Sequence, residues 1–173
     1  MYVVAELYNL SSSRKLLSVS RLLKEANTFQ GSAASYARIS AAAFNSTGTV
    51  LYCSDSLGAL FSLDLLQNRY RKVVTLNSRC CILQSEAREK GRLLAATVDN
   101  TIRVIDGEHG DQIQVLQGHT SNVSTISVQP NAGMLMLSTA SDGAVLWDLQ
   151  TFHKRRRLRA RSNSAIQTVG NNT

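Results

Sequence analysis

Three aspartates at one fixed interval constrain this chain more than any other feature. Asp64, Asp106 and Asp148 stand 42 residues apart, each behind a large apolar residue: Leu63, Ile105 and Trp147. Six residues before each stands a turn former, Gly58, Asn100 or Asp142. Gly48, Gly91 and Gly133 keep nearly the same step, and Val74, Leu116 and Leu158 keep it outright. Such a period marks a repeat architecture, in which one supersecondary unit recurs and buries its faces against its neighbours.

Each unit contains four short runs rich in Val, Ile, Leu and Thr, punctuated by Gly, Asn and Asp. The first holds "ISAAAF", "TVLYCS", "ALFSLD" and "YRKVVT". The second holds "CCILQ", "RLLAATV", "TIRVID" and "DQIQVL", and the third "VSTISV", "MLMLSTA", "AVLWD" and "KRRRLR". Four strands in about 42 residues is the arithmetic of a β-propeller blade. The expected architecture is all-β: three four-stranded antiparallel blades at about 37–76, 79–117 and 118–159. They lie in a propeller segment 37–169, in which "SNSAIQTV" starts a fourth blade, followed by a tail at 170–173. Three blades do not close a ring, so the propeller is incomplete and a full one requires further blades. Residues 1–36 stand outside the period as an extension. "MYVVAELY" reads as a strand and residues 27–35 as a linker. In "SSSRKLLSVSRLLKEA", Leu16, Val19, Leu23 and Ala26 fall at helical spacing and Ser13 is placed to cap, which predicts a short helix.

The third unit, "GHTSNVSTISVQPNAGMLMLSTASDGAVLWDL", runs from Gly118-His119 to Trp147-Asp148 and resembles the WD-repeat β-propellers. The first two units lack the Gly-His opening and carry Leu63 and Ile105 where the third has Trp147. The resemblance implies a hydrogen-bonded structural tetrad of His119, Ser138 (or Thr139), Asp142 and Trp147. The residues suit it, because buried imidazole and indole N–H groups need acceptors and a turn carboxylate supplies one. A Ser-His-Asp catalytic reading of the same residues lacks an exposed nucleophile and an oxyanion site. More narrowly, "FNSTGTVLYCSDSLGALFSLDLLQNRY", the shortened turn of "SDGAVLWDL" and "TFHKRRRL" followed by "IQTV" resemble a WD-repeat family with a later TBC domain, known as member thirty-one of its series. That resemblance implies an adaptor at the centrosome or centriolar satellites, acting in cilium biogenesis. The TBC domain of that family has no counterpart in these 173 residues, so no Rab GTPase-activating function is read here.

Composition decides between rival functions. The formal net charge is +7, and Lys154, Arg155, Arg156, Arg157, Arg159 and Arg161 supply most of it with no acid among them. The basic character belongs to one segment, not to a field over the whole surface. By register that segment is the outermost strand of the third blade, where charged side chains discourage sheet-to-sheet association. It is also a possible anion-binding site, although no interleaved aromatics offer base stacking. Cys53, Cys80 and Cys81 form no C-x-x-C and read as reduced thiols. No basic leader precedes a long apolar run, and no run approaches the ~20 apolar residues a spanning helix needs. The expectation is a cytoplasmic, non-catalytic protein–protein interaction scaffold that engages other proteins through propeller loops. It assigns no cofactor and no metal, and neither nucleic acid nor membrane as partner. Two alternatives stay open: a basic-strand binder of anionic lipid or nucleic acid, and a fragment with no independent function.

Overall fold

The runs between turn formers become strands, because β-branched and leucine-rich segments of about six residues pair most readily with their immediate chain neighbours. The computed structural model describes residues 6–9, 14–18, 38–86, 91–130 and 134–158, and all secondary structure among them is β. The first strand among the described residues, β1 (Glu6–Asn9), pairs antiparallel with β2 (Arg14–Ser18). Blade 1 comprises β3 (Ile39–Phe44), β4 (Val50–Asp55), β5 (Ala59–Asp64) and β6 (Arg69–Thr75). Blade 2 comprises β7 (Cys80–Ser85), β8 (Arg92–Thr97), β9 (Thr101–Asp106) and β10 (Gln112–Gln117). Blade 3 comprises β11 (Val123–Val128), β12 (Leu135–Ala140), β13 (Gly143–Asp148) and β14 (Lys154–Leu158). In each blade the strands lie in chain order and pair antiparallel. The first strands sit side by side, β3 beside β7 and β7 beside β11, so the blades fan outward from them without closing a ring.

One sequence expectation is corrected. Arg14–Ser18, placed in a helix by the spacing of its leucines, is strand β2, with Leu17 in register with Leu7. A short helix without tertiary packing is marginal, and a partner strand lies a few residues upstream. Val19, Leu23, Ala26 and the cap at Ser13 lie outside the described residues, as do "SNSAIQTV" and the tail.

Period-two alternation directs the packing. In β8, Leu93 and Ala95 face blade 1 and join Tyr52, Leu60, Leu76, Cys80 and Ile105. Leu94 and Ala96 face blade 3 and join Val104, Met136, Val145 and Trp147. Blade 2 is therefore covered on both faces, which explains why β8 reads as a continuous apolar run rather than an alternating one.

The turns between third and fourth strands carry their own 42-residue ladder. Asn68 (φ 51°), Gly110 (φ 89°) and Phe152 (φ 59°) occupy equivalent places and are all left-handed. Asn and Gly adopt this conformation readily, whereas an aromatic residue does so at a steric cost.

Candidate functional site

The aspartate ladder has a local cause. Asp64 Oδ1 accepts the backbone N–H groups of Leu66 and Gln67, both at 2.9 Å. Asp106 does the same for Glu108 and His109 (2.7 and 3.1 Å), and Asp148 for Gln150 and Thr151 (2.8 and 3.0 Å). A short carboxylate that caps the N–H groups two and three residues on fixes the turn leaving each third strand. The repeat conserves a turn lock, and the locks stand at one end of each blade.

The opposite end carries the group proposed from sequence. His119 Nδ1 lies 2.7 Å from Asp142 Oδ1 and Nε2 lies 2.7 Å from Ser138 Oγ. Trp147 Nε1–H donates to the same Ser138 oxygen at 2.8 Å. One assignment satisfies every polar atom: Trp147 donates to Ser138, Ser138 donates to His119 Nε2, and His119 Nδ1–H donates to Asp142. Thr139 is not part of this chain; it bonds Ser124 and Thr125. Ser138 is fully buried and its oxygen is occupied, so the Ser-His-Asp sequence of contacts presents no nucleophile to a substrate.

Asp142 does more than the sequence suggested. Its Oδ2 accepts Thr120 N–H at 2.6 Å and the Thr120 hydroxyl at 3.0 Å, and it pairs with Arg157 at 2.6 Å. These donors, Thr120 first and His119 next, hold its carboxyl well below the usual carboxylate range. Blades 1 and 2 lack the tetrad and use other carboxylates at this end, which sequence reading missed. Asp55 Oδ1 accepts Leu57 and Ala59 N–H at 2.9 Å each. Asp99 accepts from Thr97 and Thr101 and pairs with Arg103 at 2.8 Å. The available signal was an aspartate beside a turn former in "SDSLG" and "VDN".

The basic run divides into two kinds of residue. Arg155 clasps Asp148 through Nε and Nη2 (3.0 and 2.6 Å); the Thr151 N–H first and Arg155 next lower the Asp148 carboxyl pKa to about 2. Arg157 pairs with Asp142 and donates to Gly118 O at 2.9 Å. Lys154 and Arg156 are exposed and make no ion pair among the described residues. Arg159 and Arg161 lie outside the described residues. β14 is the outer edge of its sheet, and part of its charge is committed inward.

Burial pushes the thiols of Cys53 and Cys80 up to about 12, which leaves them poor nucleophiles. Among the described residues no group of His, Cys, Asp and Glu is arranged to hold a metal, and no helix is long and apolar enough to cross a membrane.

Comparison with known proteins agrees with this geometry. Residues 110–148 match the family model for the WD domain, G-beta repeat. The chain is 35% identical over 127 residues to TBC1 domain family member 31 of Homo sapiens, which is 73% of this chain and 12% of that protein. The protein of that name from Oryzias latipes is 34% identical over 126 residues, again 73% and 12%. The one from Xenopus tropicalis is 33% identical over 133 residues, 77% and 12%. The chain thus spans about an eighth of the length of these relatives. With its three four-stranded blades and a WD repeat matched at 110–148, this chain has the architecture of WD-repeat β-propeller blades and is similar over about three quarters of its length to TBC1 domain family member 31.

Proposed function

We propose that the chain is a non-catalytic scaffold that docks other proteins on the turns at its blade ends. The observation that supports this most is the carboxylate locking at both ends: Asp64, Asp106 and Asp148 at one, Asp55, Asp99 and Asp142 at the other. Turns held by side-chain-to-backbone bonds lose little entropy on binding, so they favour a preformed docking surface. Following the resemblance to the TBC-domain family, the scaffold acts in the cytoplasm at the centrosome or centriolar satellites, in cilium biogenesis. Affinity capture of the tagged chain from ciliating cells, together with imaging against a centriolar marker, tests both parts. Expected are a reproducible set of proteins retained at high salt and a pericentriolar signal. Capture that collapses with rising salt would favour instead the anion-binding reading, through the exposed Lys154 and Arg156. A diffuse signal would refute the localisation alone.

A further inference from the structure

A cleft of about 500 Å³ opens between blade 1 and blade 2, at the end bearing the β3–β4 and β5–β6 turns. That size accepts a large side chain with its flanking backbone. Two largely buried residues, Tyr52 and Ser62, line it with their hydroxyls. Tyr52 is 4% exposed and Ser62 is 8% exposed, and neither hydroxyl makes a hydrogen bond among the described residues. Both hydroxyls therefore keep hydrogen-bonding capacity open to a ligand in the cleft.

The cleft's charges are not equivalent. Arg71 spends its guanidinium on the carbonyls of Gly107 and Glu108. Arg69 stands opposite Asp64 in the β5–β6 register, so the rim there carries one charge of each sign. Glu108 remains: it lines the cleft, and its carboxylate accepts no hydrogen bond among the described residues. Glu108 and Tyr52 line the same cleft, and after burial the Glu108 charge is the largest influence raising the Tyr52 hydroxyl. The phenol end of Tyr52 is seated against Gly107, where a Cβ would come within 2.8 Å of its ring.

The open valences are thus carboxylate lone pairs and hydroxyls, beside the aromatic walls Tyr52 and Tyr70. A planar group with several N–H donors and a positive charge fits them best. We infer that this inter-blade cleft is a binding site for an arginine side chain of a partner protein, with Glu108 as the carboxylate that receives its guanidinium. The inference rests on the scaffold reading and specifies the chemistry of one partner.

The test titrates the full chain with acetyl-Gly-Arg-Gly-amide by calorimetry and amide NMR. Expected are saturable binding with shifts around Tyr52, Ser62 and Glu108, and at least about tenfold weaker binding by Glu108→Gln, as loss of a charge-assisted pair implies. The citrulline and lysine peptides should bind more weakly. Glu108 is exposed, so Glu108→Gln should fold and melt as the parent chain does; Tyr52→Phe should weaken binding less. Equal affinity in Glu108→Gln, equal binding of the citrulline or lysine peptide, or preference for a phosphoserine peptide would each overturn the assignment. Affinity capture run in parallel separates the two readings. Partners captured without arginine binding sink only the cleft, whereas arginine binding without captured partners sinks the scaffold.

Discussion

Single residues show where this fold tolerates no substitution. Gly110 combines φ 89° with a carbonyl, Val73 O, only 2.3 Å from where a Cβ would sit. Gly110→Ala is expected to lose on the order of 1–3 kcal/mol from the backbone conformation alone, and more from the collision. Thermal or urea unfolding measures it, and a loss under about 0.5 kcal/mol would contradict the geometry. Asp142 carries a pH prediction. Its carboxyl is depressed in the folded state, by Thr120 first and His119 next, so its stabilisation is present above the unfolded value near ~4 and is lost as pH falls below it. Asp142→Asn should lower stability at neutral pH and flatten the loss of stability below pH ~4. An acid unfolding profile parallel to that of the parent chain would argue against this.

Among the elements, β14 shows that one charged run holds two roles. Arg157→Ala breaks the pair with Asp142 and the bond to Gly118 O, whereas Arg156→Ala removes an exposed side chain. The first is expected to cost ~1–2 kcal/mol and the second within ~0.5, read from paired denaturant titrations. Equal effects would mean that the tie from β14 to the tetrad contributes nothing. This difference was hidden in "HKRRRLR", because register alone does not say which arginine meets an acid. The strands themselves were legible, since the 42-residue step repeats the same alternation and turn formers in each blade. Their ends agree with the expected runs to about a residue, as "TIRVID" and β9 illustrate. The strand expected in "MYVVAELY" is β1, whereas the helix expected across Arg14–Ser18 was misread because "RKLLS" is too short for its period to separate helix from strand. The inter-blade cleft left no motif, because Tyr52, Ser62 and Glu108 meet only when two blades stack.

For the molecule as a whole, stability is unevenly spread. Leu93, Leu94, Ala95 and Ala96 of β8 and Ile102, Val104 and Ile105 of β9 are at most 1% exposed. Blade 3 has blade 2 on one face only among the described residues, and Leu135, Leu137 and Leu146 on its other face are partly exposed. Local opening follows such differences in burial. Hydrogen exchange should be slowest in β8 and β9 and faster in β12 and β13, although all four are interior strands of their sheets. Uniform exchange across the three blades would show that they open as one unit.

The turn lock at Asp106 also bears on how the chain ages. An Asp-Gly sequence isomerises when the glycine nitrogen attacks the aspartyl carboxyl and forms a cyclic imide. Here the Gly107 N–H donates to Gly91 O at 2.7 Å, while the Asp106 carboxylate is held by Glu108 and His109 N–H and by the His109 ring. Both reactants are already engaged, so isoaspartate at position 106 should accumulate on storage only as fast as the turn opens. Peptide mapping of aged samples would then report the hidden opening rate of blade 2.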